Sequence, residues 1–266
     1  TEYIQAGSDV ITTNTFGANG LKLKGCEYSV DAVITQAVKI AKKAAGNNKY
    51  VALDIGPTGK ITEPFGDLSF NEAYDLFKEQ VVSGTKAGAD LIILETFTDL
   101  YEMKAGILAA KENSHLPVFC SVTFEEDKKT LMGTDPLTMV NLIQDMGIDA
   151  LGINCSLGPD KMAGVIEEIL QYSRIPVLIQ PNAGLPKIVD GQTVFDIDIE
   201  HYVHGMSKII DLGVKIIGGC CGTTPEYISR LSTTVESRQT QEVRITSKKP
   251  SERLKSDVAD NMILKK

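Results

Sequence analysis

The chain has 266 residues, which suits one large α/β domain or one domain with a tail, and is too long for a mini-protein. Its 42% hydrophobic and 23% charged residues exclude a disordered or fibrous chain, and its net charge of -8 argues against sequence-independent nucleic-acid binding, which needs a basic face. No stretch approaches ~18 uninterrupted apolar residues and the first residues do not resemble a signal peptide, so we expect a cytoplasmic protein outside the membrane.

Seven short aliphatic runs recur along the chain, each followed by turn residues and then by a helical pattern. The runs begin at Asp9, Tyr50, Asp90, Pro117, Ala150, Pro176 and Val214. Their spacings of 26 to 41 residues leave room for a strand, a loop and an amphipathic helix, such as 71–88, 136–147 or 159–172. Such strands pair in parallel. A doubly wound sheet and a (β/α)8 barrel are both open, and the lack of a Gly-x-Gly-x-x-Gly motif after any strand favours the barrel.

A barrel needs eight strands, and this chain opens inside a βα unit. Tyr3, Ile4 and the Ala6-Gly7 pair are typical of the end of a helix with a glycine cap, and a strand follows at once. The first residue is also not Met. We therefore predict a TIM barrel whose first strand is absent from this chain, as part of a longer polypeptide. The alternative is an open sheet of seven units.

The sequence changes character after its last periodic segment, the helix predicted at 225–235. We expect the barrel to occupy residues 1–236. Residues 237–266 are rich in Ser, Lys, Arg, Gln and Asp without a clear apolar stripe, which indicates a polar linker or the start of a following module.

Three of the five cysteines follow predicted strands, at the end of the barrel where reactive groups lie. Cys155 ends one strand, and the pair Cys220-Cys221 ends another, 65 residues later. Three thiolates suit zinc and leave its fourth tetrahedral position open, as in catalytic sites. Gly219 and Gly222 flank the pair and permit the unusual dihedral angles that it requires. The alternative is that these cysteines are small buried residues or a vicinal disulfide.

The remaining thiols and imidazoles are poor candidates for ligands. Cys26 precedes a helix, and Cys120 lies in mid-strand, where a small buried hydrophobe is expected. His115 falls at the opposite end of the barrel, and His201 and His204 fall on a helix of the outer layer. A histidine-rich metal site is therefore disfavoured.

Polar residues at other strand ends suggest a substrate site. Glu95 follows the apolar run LIIL, where a carboxylate is costly to desolvate unless it meets a cation such as a substrate ammonium. An internal ion pair with Lys or Arg is the alternative. Asp54 either takes part in such a site or caps its own loop through backbone amides. Asn14 and Asn182 also follow strands.

The segment GGCCGTTP before the last helix has a second interpretation, because its backbone amides could cradle a phosphate. The chain would then be a phosphate-binding lyase or isomerase with structural cysteines. This reading does not explain two adjacent cysteines, and no strand ends in a Lys that could form a Schiff base. An inactive barrel remnant that serves as a docking module is a third hypothesis.

Seven segments together resemble the homocysteine S-methyltransferase family, in order and spacing, over residues 1 to about 235. The segments are SDVITTNTFGA (8–18), DIGPTG (54–59), LETF (94–97), GTDP (133–136), GINCSLGP (152–159), QPNAGLP (180–186) and GGCCGTTPE (218–226). The NTFGA and PNAG segments are more similar to the cobalamin-dependent members than to those that use betaine or S-methylmethionine.

The resemblance implies a zinc ion held by Cys155, Cys220 and Cys221, with the sulfur of L-homocysteine as a further ligand. It implies that Glu95 holds the substrate amino group, with Asn14 and Asp54 as further substrate-binding residues. Asn182 would be the fourth zinc ligand when substrate is absent.

The implied reaction is methyl transfer to homocysteine, giving methionine. Its donor would be methylcobalamin, regenerated from methyltetrahydrofolate on cobalamin-binding and folate-binding modules of the same or a partner chain. No catalytic residue is expected beyond the zinc-activated substrate thiolate. One departure is that the family's first strand carries an Asp-Gly-Ala type motif, whose Asp helps to bind homocysteine, and this chain lacks it.

Overall fold

The computed structural model describes residues 1–189, 191–239 and 262–265. Its strands are β1 Val10–Thr12, β2 Tyr50–Ile55, β3 Leu91–Phe97, β4 Val118–Val122, β5 Ala150–Asn154, β6 Val177–Gln180, β7 Pro186–Val189, β8 Gln192–Phe195, β9 Ile216–Gly219 and β10 Met262–Lys265. Its helices are α1 Glu2–Gln5, α2 Val30–Ala45, α3 Phe70–Ala87, α4 Leu100–Asn113, α5 Pro136–Ile143, α6 Pro159–Tyr172, α7 Ile199–Asp211 and α8 Pro225–Gln239.

Eight of these strands form a closed parallel barrel in the order β1-β10-β9-β6-β5-β4-β3-β2. All seven strands predicted from the sequence are present, and the predicted (β/α)8 class is confirmed. The predicted helices also form: α6 has the expected bounds, and α5 ends four residues early in a 3-10 turn at Gln144–Met146. Helix α8 continues to Gln239, past the predicted domain boundary at 236.

The eighth strand comes from the C-terminal region that the sequence assigns to a polar linker or following module. Of that region, residues 240–261 and 266 lie outside the described residues, whereas the backbone of β10 pairs with β1 and β9. The register aligns Leu264 with Val10 and Met262 with Ile216. Without a strand here, β1 and β9 would each present an edge of unpaired N–H and C=O groups. The short apolar run of β10 thus fills the position between β1 and β9, and the sheet is closed rather than open.

The core has two parts, which follow from the period-2 alternation of side chains along each strand. Outward positions pack against the helices and form the larger cluster, which includes Leu53, Phe77 and Phe97. Inward positions fill the barrel with a second apolar cluster: Val10, Ala52, Leu91, Ile93, Phe119, Ala150, Leu178 and Ile216. The helices are set by local caps, as at α3, where Ser69 and Glu72 form a capping box.

The inner positions nearer the C-terminal ends of the strands are polar instead. The register pairs Asp54 with the inward Ile93, and Glu95 lies two residues further along β3. Asn154 and Gln180 are likewise paired across β5 and β6, and all four side chains are buried. A buried polar layer therefore lies above the apolar filling, immediately below the strand ends that carry the cysteines.

A hairpin that the sequence analysis did not predict lies between β6 and α7. Its strands β7 and β8 are antiparallel, and their side chains are mostly exposed. At its base, the Phe195 ring leaves no room for a side chain at Gly222, where a Cβ atom would lie 2.3 Å from the ring. The hairpin thus lies beside the cysteine pair.

Within the described ranges, no helix combines the length and the hydropathy that a membrane span requires.

Two glycines test how tightly the barrel wall is packed. A Cβ at Gly152, on the inner face of β5, would lie 1.7 Å from the Leu178 carbonyl oxygen, which is backbone. We expect Gly152→Ala to lower the free energy of unfolding by about 1–3 kcal/mol, because β5 and β6 must separate to admit a methyl group.

The matched control is Gly164→Ala in α6, where the new methyl group meets only the end of the Lys128 side chain, at 3.0 Å. Because alanine favours a helix over glycine, this variant should be neutral or about 0.5–1 kcal/mol more stable. Urea unfolding followed by circular dichroism measures both changes. An equal decrease in the free energy of unfolding of both variants would contradict the tight packing of β5 against β6.

Candidate metal centre

The turn after β5 directs Cys155 toward β9. Cys155 and Ser156 both adopt left-handed backbone conformations, with φ of 63° and 56°. Each costs roughly 1–2 kcal/mol for a residue with a Cβ atom, so the surrounding structure must hold the turn. The Cys155 amide donates to the Gln180 carbonyl, and the Leu157 amide donates back to the Cys155 carbonyl. The chain reverses here, and the Cys155 sulfur lies 3.9 Å from that of Cys221.

The Cys220-Cys221 pair lies in the turn after β9. Gly222 has a φ of 80°, as the sequence analysis expects. Gly219 does not have a positive φ; it is required because a Cβ there would lie 2.5 Å from the hydroxyl of Thr223. That hydroxyl donates to the Cys220 carbonyl at 2.8 Å. The glycine before the pair therefore permits a close packing contact, and the glycine after it permits the backbone angle.

The three sulfur atoms form a cluster of the size that a tetrahedral zinc ion requires. All three lie within 4.8 Å of one another. Zn–S bonds of ~2.3 Å in a tetrahedron place the sulfurs about 3.8 Å apart, so small movements would complete the site. None of the five cysteines, all of which lie in the described ranges, forms a disulfide. Cys220 is buried and Cys221 is exposed, so the cluster opens toward solvent on one side.

The thiols share protons rather than ionising independently. Hydrogen bonds from the Cys220 and Cys221 thiols lower the pKa of Cys155 strongly. The pKa of Cys220 is raised, because it shares its proton with Cys155 and Cys221 and is also buried. The Cys155 thiolate is thus stabilised while Cys220 keeps its proton. A bound divalent cation would allow all three to ionise together.

Asn182 lies directly against this cluster, as the sequence analysis expects. It is buried, and its Oδ1 accepts a hydrogen bond from the Cys221 amide at 3.0 Å. A hydrogen bond from its side chain also contributes to the lowered pKa of Cys155. Asn182 therefore connects the two turns that carry the cysteines.

The predicted carboxylates Glu95 and Asp54 lie in the buried polar layer inside the barrel. Glu95 is fully buried, and its negative charge is among the causes that raise the pKa of Cys220. Asp54 is 1% exposed, and its backbone is fixed by hydrogen bonds with the side chains of Thr13 and Thr15. The structure thus brings both carboxylates to the polar layer below the cysteines.

Glu102, on α4, fixes the loop after β2 and is not among the residues predicted from the sequence. Its Oε1 accepts hydrogen bonds from the Thr58 amide and hydroxyl, at 2.7 and 2.5 Å. Burial raises the pKa of Glu102, although the bonds from Thr58 oppose the shift. A carboxylate on the otherwise aliphatic buried face of α4 is the signal that could have identified it.

Asn14 is the predicted site residue that the structure sets apart. It is exposed and lines a groove of about 820 Å³ between β1 and α2, together with residues such as Thr12, Tyr28 and Gln36. The groove-lining residues include none of the cysteines. Asn14 follows its strand as expected, but this position turns it to the groove.

The cysteines and histidines that the sequence indicates as poor metal ligands lie away from the cluster. Cys26 is exposed in the loop before α2, and Cys120 is fully buried in β4, where burial raises its pKa. His201 and His204 lie on α7, and the His201 ring contacts the Asp160 carboxylate at 2.6 Å.

Comparison with known proteins is consistent with this site. The family model for homocysteine S-methyltransferase matches residues 1–235. The methionine synthase of Mycobacterium leprae is 29% identical over 247 residues, covering 88% of this chain and 20% of that protein. The methionine synthase of Mycobacterium tuberculosis is also 29% identical, covering 92% of this chain and 22% of that protein. The chain thus spans about a fifth of the length of these relatives.

Solved structures show the same fold. The metallated form of the homocysteine methyltransferase MmuM from Escherichia coli has a TM-score of 0.73 and 22% identity, covering 88% of this chain and 82% of that one. Its oxidized form has a TM-score of 0.74 with the same identity and coverage. At this identity the likeness concerns the fold, whereas the family model spans nearly the whole barrel. The chain therefore belongs to the homocysteine S-methyltransferase family.

Proposed function

We propose that this chain transfers a methyl group to the thiol of L-homocysteine, giving methionine, with zinc bound by Cys155, Cys220 and Cys221. The observation that carries the proposal is the cluster of three sulfurs within 4.8 Å at the mouth of the barrel. Three thiolates with one open side are the donor set of a catalytic zinc site, and soft sulfur ligands select such metals. The family match supplies the substrate class.

Zinc bound there would keep the substrate sulfur as a thiolate, the nucleophilic form, at neutral pH. The protein itself positions that sulfur and limits the direction from which it can approach the cluster. Exposed Cys221 leaves one side of the cluster open to the incoming thiol, and the buried Cys220 closes the other. The sulfur then forms a bond to the methyl carbon as the bond from that carbon to its donor breaks. No protein base is required in this proposal.

The two inward carboxylates bind the other end of the substrate in this proposal. Homocysteine carries an ammonium group, and Glu95 lies in the buried layer close enough to influence Cys220. A charge-assisted hydrogen bond in such a site is short and strong, and it fixes orientation. Asp54 faces the same interior from the neighbouring strand and is the second candidate for this group. Asn182 is the candidate fourth zinc ligand when substrate is absent, since its side chain already contacts the cluster.

The donor in this proposal is methylcobalamin, carried by a cobalamin-binding module and regenerated from methyltetrahydrofolate on a folate-binding module, as in methionine synthase. The relatives named methionine synthase are more than four times as long as this chain, which leaves room for such modules. The loops at the cysteine-bearing end of the barrel also expose large apolar side chains, among them Phe65 at 81%, Leu131 at 75% and Ile188 at 80%. Exposed apolar groups around a mouth suit contact with another protein module.

The zinc site is tested by elemental analysis of reduced, dialysed protein. We expect about one zinc per chain, and loss of that zinc in Cys155→Ser and in Cys221→Ser, because two thiolates hold the metal far less tightly than three. Cys26→Ser is the matched control, since that thiol is exposed and outside the cluster.

Absence of zinc from folded, reduced protein would refute the proposal. Protection of that zinc-free protein against unfolding by inorganic phosphate would instead favour a phosphate-binding barrel with structural cysteines. Equal loss of zinc in Cys26→Ser would show that the cluster is not the site.

The role of Glu95 is tested by comparing two thiols. We expect Glu95→Gln to weaken the binding of homocysteine by about 10- to 100-fold, because a hydrogen bond to a charged group contributes roughly 1.5–3 kcal/mol. Binding of 4-mercaptobutanoate, which lacks the amino group, should be nearly unchanged. Isothermal titration of zinc-loaded protein measures both. Glu125→Gln, an exposed carboxylate at the same rim, is the control. A similar loss for both thiols would contradict an amino-group role.

The donor is tested by incubating the zinc-loaded chain with homocysteine and free methylcobalamin, and measuring methionine. We expect methionine to form from methylcobalamin, and Cys221→Ser to abolish it. S-methylmethionine and betaine are run in parallel. Methionine from either of those donors, with none from methylcobalamin, would overturn the donor assignment but not the zinc site.

A further inference from the structure

Asn154, the last residue of β5, is fully buried beneath the cysteine cluster and uses its whole side-chain amide. Its Oδ1 accepts hydrogen bonds from the Thr96 amide at 2.9 Å and from the Ser121 hydroxyl at 2.7 Å. Its Nδ2 donates to the Thr96 hydroxyl at 2.8 Å and to the Cys220 sulfur at 3.8 Å. These four bonds match the two acceptor sites and two donor hydrogens that an asparagine amide possesses.

The contacts fix which way the amide faces. A backbone N–H can only donate, so the atom that meets the Thr96 amide must be the carbonyl oxygen. The NH₂ group must then face Cys220. An N–H aimed at a buried sulfur stabilises it as a thiolate, since charge-assisted hydrogen bonds strengthen where water is excluded.

The same amide also reaches the predicted substrate-binding strand. Thr96 directly follows Glu95 and adopts a left-handed conformation, with a φ of 66°. The pairing of β3 with β4 shifts register at this point, between Leu94 and Phe97. A residue in this conformation is strained, and its two hydrogen bonds with Asn154 compensate: the Thr96 amide donates to Oδ1, and the Thr96 hydroxyl accepts from Nδ2. Asn154 therefore connects the strand ends that carry Glu95, Cys155 and Cys220.

We propose that Asn154 is a positioning residue that sets the Cys220 sulfur and the Glu95 strand end relative to each other, and so aligns the metal and the substrate amino-group site. This inference rests on the proposed function. It assigns Asn154 no direct contact with metal or substrate. Groups that hydrogen-bond to metal ligands orient them and change metal affinity by about 10- to 100-fold when they are lost.

The test compares Asn154→Ala and Asn154→Asp with Ser121→Ala. Asn154→Asp keeps the size of the side chain but replaces the NH₂ group with an oxygen that repels a thiolate. Ser121→Ala removes a partner of the same amide without touching the N–H···S bond, and it is the matched control. Thermal unfolding of the metal-free proteins establishes that each variant is folded.

The first readout is zinc affinity, measured by competition with a chromophoric chelator. We expect both Asn154 variants to bind zinc about 10- to 100-fold more weakly than the unmodified chain, and Ser121→Ala to bind nearly as well. The second readout is the absorption spectrum of the cobalt-substituted protein. Loss of the N–H···S bond leaves the Cys220 sulfur more electron-rich, so the sulfur-to-cobalt charge-transfer band should move to lower energy in Asn154→Ala but not in Ser121→Ala. A general loss of packing would not shift this band selectively.

The third readout is the preference for homocysteine over 4-mercaptobutanoate, which should fall several-fold in Asn154→Ala because the Glu95 strand end is released. The inference is overturned if the folded Asn154 variants match the unmodified chain in zinc affinity and cobalt spectrum, or if Ser121→Ala changes both as much as Asn154→Ala does. If the unmodified chain itself binds no zinc, the proposed function fails instead. Asn154→Asp keeps the test available if the alanine variant does not fold.

Discussion

The site depends on one constraint, the parallel pairing of β5, β6 and β9 at the same height around the barrel. This pairing brings sulfur atoms that are 65 residues apart in the chain to within 4.8 Å. Because strand ends in a parallel barrel share one rim, each turn needs only to direct its cysteine inward. The left-handed pair Cys155-Ser156 does this on one side, and Gly222 does it on the other. The strained backbone at these turns is held by the bonds that Gln180 and Asn182 make to the cysteine backbone.

The inside of the barrel divides into two layers with different roles. Aliphatic and aromatic side chains fill the lower part, and this packing fixes the distances between strands. Above it, buried polar groups such as Asp54, Glu95 and Asn154 replace the apolar filling. Burying a polar group costs free energy unless the group forms hydrogen bonds. When all such groups are hydrogen-bonded, they favour one arrangement of the surrounding side chains. The hydrogen bonds of Asn154 show this arrangement, since they join three strand ends through one amide.

The strand that closes the barrel is not one of those that carry the cysteine cluster. The strand β10 completes the ring through backbone pairing with β1 and β9, which any short extended segment can supply. The cysteines, Glu95 and Asn182 lie on other strands and turns. The buried carboxylates Asp54 and Glu95 likewise lie on β2 and β3, away from β10.

The amino-acid pattern alone predicts the seven strands, the barrel class and the grouping of the three cysteines. Strand and helix patterns are local, and the C-terminal ends of parallel strands meet at one rim. Counting along the strands also predicts that Glu95 and Asn182 lie near the C-terminal ends of β3 and β6. The tertiary structure decided the rest. No local pattern shows that residues 262–265 pair between β1 and β9, that Glu102 holds the loop at Thr58, or that Asn14 turns to a groove away from the cysteines. Gly219 is predicted for its backbone angle but is required for contact with Thr223, and Asn154 forms hydrogen bonds with Thr96 and Cys220. These contacts join residues far apart in the chain, so only the closed barrel could specify them.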